Sequence, residues 1–215
     1  MNMKKEKSEK KQKTEKKKEP KQPQYYYSAT NIQTLNYKVY YMGAAEKILW
    51  FLVGFAAGAA VGDLFYGGLA KNEYGDPTIM TYVLNVLISG TAGMAAGRAF
   101  VPIRTDMIQK KRISKLKSQF RDMLEAFNTC LGAGKNVTDS FRSVYEDLKV
   151  QYEEDAFILK ELEVILSCMD NNVNIEVPLL DFGARSGVDD IVSFANVFQT
   201  CLREGGNIKD TIRNT

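Results

Sequence analysis

The sequence predicts an all-α protein: an N-terminal transmembrane helical hairpin followed by a cytoplasmic antiparallel helical bundle with an internal helix-turn-helix repeat. Three observations predict it. Two apolar segments long enough to cross a membrane are separated by ten residues. Beyond Arg104 the apolar residues recur at three- and four-residue steps, the period of an amphipathic helix. A stretch of sixteen residues, 127–142, recurs at 198–213.

The elements follow in order. Residues 1–24 are of low complexity, mostly Lys, Glu and Gln with Pro20 and Pro23. Such a composition buries too little apolar surface to offset its ordering entropy and reads as a disordered tail. Its plain role is electrostatic or solubilising; binding a specific partner is the sharper one. Lysines beside a bilayer also attract anionic lipid. The pattern differs from a secretory signal, because a polar, Tyr-rich juxtamembrane stretch from Tyr25 to Met42 separates the basic run from the first apolar one.

The segments Ile48–Ala70 and Thr81–Ile103 are expected to hold two membrane helices, about 48–70 and 79–101. A bilayer core of ~30 Å needs about 20 apolar residues. The linker KNEYGDPTIM is short and carries the turn signal Gly75-Asp76-Pro77. Lys38, Lys47, Arg98, Arg104, Lys110, Lys111 and Arg112 flank the inner ends, whereas the linker has only Lys71. The positive-inside rule therefore puts both ends in the cytoplasm, at a bacterial cytoplasmic membrane crossed more than once. Gly54, Gly58 and Gly62 on the first span, and Gly93 and Gly97 on the second, are four residues apart and make flat faces for close packing. The spans pack on each other in the simple reading and on another subunit in the alternative. Asp63 and Asn85 are polar residues within the spans at similar depth, placed to hydrogen-bond across the hairpin. An ion or proton role is the competing account of such a carboxylate.

The cytoplasmic region, 104–215, carries three apolar stripes. Ile113, Leu116, Phe120, Met123, Leu124, Phe127 and Leu131 form the first, on a helix expected to run on from the second span. Phe157, Leu162, Ile165, Leu166 and Met169 form the second, and Val188, Ile191, Ala195, Phe198 and Leu202 the third. No alternating strand pattern of useful length is visible. In the repeat, FNTCLGAGKNVTDSFR matches FQTCLREGGNIKDTIR. Gly134 or Gly205 supplies a left-handed helix stop. Asn136 and Asn207 follow, Gly206 stands where the first copy has Lys135, and Asp139 or Asp210 lies in the first turn of the next helix, where the helix dipole favours it. NIEVPLLDFG at 174–183 is a weaker echo that starts a middle helix.

This order of segments, with the midpoint Asn174-Ile175-Glu176-Val177-Pro178-Leu179 and the run Leu202-Arg203-Glu204-Gly205-Gly206-Asn207-Ile208, resembles the type II secretion system F domain. The branch it looks most like is that of the Tad/Flp pilus assembly platform proteins. The resemblance implies an inner-membrane platform for pilus or type II secretion assembly, without covalent chemistry. Its implied partners are membrane lipid, a cytoplasmic secretion ATPase, a second F-domain platform protein and pilin subunits, in a homo- or hetero-oligomer. Such proteins usually carry further membrane helices after the F domain, whereas this sequence ends at Thr215 within a predicted helix; truncation, a split product or completion by a partner are the open accounts. A membrane-anchored helical scaffold or signalling module unrelated to secretion is the alternative, since fold does not fix function.

Chemistry finds little purchase. No histidine is present, which removes His-based catalysis, metal ligation and pH switching. Gly132-Ala133-Gly134-Lys135 lacks the first Gly and the Ser/Thr of a phosphate loop, and a helix precedes it. The acidic residues Glu153, Glu154, Asp155, Glu161 and Glu163 read as a solvated face or, functionally, a partner surface. Asp189 and Asp190 read as helix caps. Cys130, Cys168 and Cys201 are widely spaced and read as reduced packing thiols. The expectation is a protein that is not an enzyme and has no cofactor, metal or nucleic-acid ligand.

Overall fold

A computed structural model describes residues 21–69, 71 and 74–204. Among them the chain is mostly helical, with six helices and two three-residue strands. The Lys-rich run and the turn of the second repeat copy (Gly205, Gly206, Asn207 and Asp210) lie outside the described residues.

Helix α1, Ala44–Tyr66, starts four residues before the expected span and stops short of Ala70. Gly67 and Gly68, poor helix formers, follow it, and the Gly67 N–H closes on the Asp63 carbonyl at 2.7 Å. Helix α2, Ile79–Gly132, opens on a capping box in which Thr78 and Thr81 satisfy each other's backbone N–H. It does not stop near residue 101. Its 54 residues carry the apolar segment straight into the amphipathic one, a rod of roughly 80 Å at 1.5 Å per residue. Pro102 sits inside it. The ring removes one hydrogen bond to the preceding turn, and the helix continues through it.

The two helices run antiparallel with their glycine faces together. A Cβ on Gly58 would lie 2.5 Å from the Ala96 Cβ and 2.8 Å from the Ala92 carbonyl oxygen. One on Gly54 would lie 2.7 Å from the Phe100 Cβ. On the facing helix, Gly93 and Gly97 press against Phe55 and Phe51, each 2.9 Å from that residue's carbonyl oxygen to the added atom. Real Cβ atoms do not approach so closely, so any side chain here would push the helices apart.

The second half of α2 packs with α3 (Val137–Gln151), α4 (Phe157–Asp170), α5 (Glu176–Ser186) and α6 (Asp189–Glu204). Leu116, Phe120, Met123, Phe127 and Leu131 are buried, and Ile113 and Leu124 flank them. Phe127 touches Phe141, with ring centroids 4.5 Å apart, and packs near Phe194 and Phe198. The predicted stripes omit Phe141, Val144 and Leu148 on α3, as well as Ile158, Leu159, Phe182 and Phe194, all of them in the core. Leu202, assigned to the third stripe, is exposed. Asp189 and Asp190 lie within the first turn of α6 and do not cap it; a carboxylate there is favoured by the helix dipole.

The polar, Tyr-rich juxtamembrane stretch contains two short strands. Strand β1 (Tyr25–Tyr27) pairs antiparallel with β2 (Gln33–Leu35). Asn31 makes the turn at φ 60°, a backbone region that Asn tolerates. The strands are too short for alternation to reveal them. The chain then crosses the bundle as a strap: Thr34, Asn36, Tyr37 and Met42 are buried, and Gln109 on α2 donates to the Lys38 carbonyl.

Candidate functional site

The strap, the amphipathic half of α2 and helices α4 and α5 converge on one buried ionic group. Glu161 on α4 and Arg185 on α5 each have side chains only 4% exposed. The Arg185 Nη2 donates to Glu161 Oε2 at 2.8 Å and its Nη1 to Oε1 at 3.0 Å, a two-pronged pair. Tyr37 of the strap donates its hydroxyl to Glu161 Oε1 at 2.9 Å. Arg185 also reaches the Leu35 carbonyl at 2.7 Å and Asp181 at 2.7 Å, and its own carbonyl accepts from the Tyr37 N–H at 3.0 Å. Burial alone would make Arg185 easier to deprotonate; the hydrogen bonds and charge of Glu161, joined by Asp181, reverse this and raise its pKa. Burial, then the Glu161 charge, holds the Tyr37 phenol well above its ordinary range.

Glu161 therefore does not belong to an acidic surface. It shares a stripe with Ile158, Leu162, Ile165 and Cys168, all buried, and its charge is spent on Arg185 and Tyr37. Glu153, Glu154, Asp155 and Glu163 are exposed. Glu163 accepts from the Tyr145 hydroxyl at 3.0 Å. Nearby, Tyr152 donates to Asp122, which pushes the phenol up to about 12.

In the first repeat copy α2 ends at Gly132, and Gly134 takes φ +86°. The Asn136 side chain then caps α3, accepting from the Asp139 N–H at 2.8 Å. Lys135 donates to Ser143 at 2.7 Å and has no phosphate-loop surroundings. The second copy enters with Phe198 and Cys201 buried, like Phe127 and Cys130. All three cysteines are unpaired and buried, and burial pushes the Cys168 thiol up.

In the helix pair, Asn85 donates to Asp63 Oδ1 at 3.0 Å. Asp63 lies in the last turn of α1, close to the linker. At the opposite end Arg104 stacks 4.2 Å over the Trp50 ring, and further along α2 Arg112 stacks 4.2 Å over Tyr40. These cation–π contacts bind α2 to α1 and to the strap. Beside the buried ion pair a cavity of about 410 Å³ is lined by Tyr25, Leu35, Tyr37, Arg112, Phe157 and Lys160, among others. Among the described residues, no group of three or more Cys, Asp or Glu side chains could hold a metal ion. What the arrangement does is mechanical and electrostatic: it locks the strap to the bundle next to the apolar helix pair. No family model, curated protein or solved structure matches the chain.

Proposed function

We propose that this chain is a platform protein of the cytoplasmic membrane, in which α1 and the first half of α2 form a transmembrane hairpin and the bundle is a type II secretion F-like domain on the cytoplasmic side. The observation that carries the membrane reading is the uncovered apolar surface of the helix pair. Leu64 is 82% exposed, Ile79 85% and Val86 73%. Both helices are long and apolar enough to cross a membrane, and only 11% of each apolar window is buried, unlike a core helix of a soluble protein. Surface of this kind calls for lipid or another protein. Asp63 and Asn85 satisfy each other near the linker end, which favours a structural role over an ion path.

The proposed task follows from the resemblance in residues 104–215. The bundle would receive motion from a cytoplasmic secretion ATPase, and α2 would carry it to the membrane where filament subunits assemble. The continuity of α2 supports this reading, because a single rod transmits displacement better than two helices joined by a loop. Four exposed acidic residues, Glu153, Glu154, Asp155 and Glu163, offer the motor a charged face.

Deletion of the gene tests the role. Loss of surface filaments, restored by the intact gene, is the expected result, together with co-purification of a secretion ATPase; a clean deletion strain with normal filaments would overturn it. Topology is tested apart from role. A cysteine introduced at Asn72 should react with an impermeant reagent from outside, and one at Lys5 should not.

A further inference from the structure

At the end of the helix pair remote from the linker lies a groove of about 370 Å³ lined by Lys47, Ile48, Phe51, Arg98, Val101 and Pro102. Its walls are apolar and its two polar members are both cations. Neither Lys47 nor Arg98 has a carboxylate within ion-pair distance among the described residues. Nor does either stack on a ring, unlike Arg104 and Arg112. Gly54 faces Gly97 across the pair. Arg98 therefore lies about six residues nearer the bilayer centre than Lys47, roughly 9 Å along the axis. Long basic side chains bend toward the headgroups, which carries the Arg98 head toward the level of Lys47 in the groove they share. Pro102 adds a polar feature, since it has no N–H to give the Arg98 carbonyl.

We infer that this groove binds one anionic phospholipid of the surrounding bilayer, with its phosphate between Lys47 and Arg98 and an acyl chain along Ile48, Phe51, Val101 and Pro102. The inference rests on the membrane reading above. Charge complementarity selects the occupant: the site offers two unpaired cations over an apolar slot, and an anionic lipid presents one phosphate over one chain. A second copy of the helix pair fits poorly, because the carboxylate within its apolar segments, Asp63, lies at the opposite end and is already engaged by Asn85. Burying a further carboxylate at that depth is costly.

The test uses the full chain reconstituted in vesicles containing either phosphatidylglycerol or phosphatidylcholine with a photoreactive acyl chain. Resistance to alkaline extraction is scored first, and its failure removes the membrane reading itself. In the extraction-resistant protein, phosphatidylglycerol should label the segments around Ile48–Phe51 and Val101–Pro102. The preference over phosphatidylcholine should be roughly five-fold for each basic side chain engaged. Lys47→Gln with Arg98→Gln should abolish that preference, whereas Lys110→Gln with Lys111→Gln, which removes the same charge away from the groove, should preserve it. Equal labelling by the two lipids, label spread evenly over both helices, or equal loss in both double variants would overturn the site. The label map of the unaltered chain decides the matter even where a variant misfolds.

Discussion

Glu161 and Arg185 form a buried pair whose separate removal is far more damaging than its joint replacement. Arg185→Leu leaves a carboxylate in the core with only Tyr37 beside it, and should destabilise the chain by about 3–5 kcal/mol. Glu161→Leu combined with Arg185→Leu should cost less than the sum of the two single changes, as denaturant unfolding of the full chain in detergent would show. Tyr152 makes an alkaline prediction. Its hydrogen bond to Asp122 needs the protonated phenol, so the folded chain holds that proton to higher pH than the unfolded chain. The stabilisation is complete below the ordinary phenol value of 10.0 and is lost as pH rises toward about 12. Tyr152→Phe should make the fall in stability over that window shallower. Glu161 was partly legible in the sequence: it stands three residues after Ile158 and four before Ile165, on the buried stripe. Neighbouring acids mask this, and charge alone argues for solvent. Its partner Tyr37, 124 residues away, has no local signature at all.

Helices were legible where spacing repeats. Glycines four residues apart on both apolar segments face one another in the structure, because nothing larger fits between the two backbones. Gly58→Leu should therefore drive the pair apart. Paired changes Trp50→Cys and Phe100→Cys, at positions whose rings are 6.0 Å apart, give the readout: a short thiol cross-linker should join them readily in the parent and several-fold more slowly with Leu at 58. At the first repeat turn, Asn136→Ala removes a cap worth about 1 kcal/mol. Gly134→Ala places a Cβ on a left-handed backbone at roughly 1–2 kcal/mol. Both losses should appear in thermal unfolding. Element ends were less legible. The continuity of α2 was the exception, since the apolar stripe from Ile113 to Leu131 keeps the helical period after the second apolar segment; the ends of α1, at Ala44 and Tyr66, follow from no such period. Strands β1 and β2 were beyond reach, because three residues cannot display an alternation.

Across the whole molecule, α1 and the strap are adjacent in sequence yet grip different halves of α2. The strap binds the bundle through Tyr37 and Arg185, and α1 binds the apolar half through its glycines. Rotation along α2 between Thr105 and Gln109 therefore strains the short connection from Lys38 to Gly43. Inserting two residues there turns the bundle by about 200° relative to α1. The expected outcome is release of the strap, seen as new protease cleavage within residues 21–42; an insertion that left this segment as resistant as in the parent would contradict the linkage. This cross-bracing was not legible in the sequence, because it depends on contacts between distant parts of the chain.

The strap also dictates an order of events during synthesis. Tyr37 emerges from the ribosome early, but the carboxylate that receives its hydroxyl comes 124 residues later, and Arg185 later still. Until then Tyr37 and Met42 have no finished bundle to enter, and α1 follows immediately behind them. The bundle thus closes over its first segment only after both apolar helices have been made. A soluble fragment cut at Arg104 would lack that closing piece and leave the Glu161–Arg185 pair open to water. To recover a native-like domain, residues 21–42 should be spliced directly ahead of it.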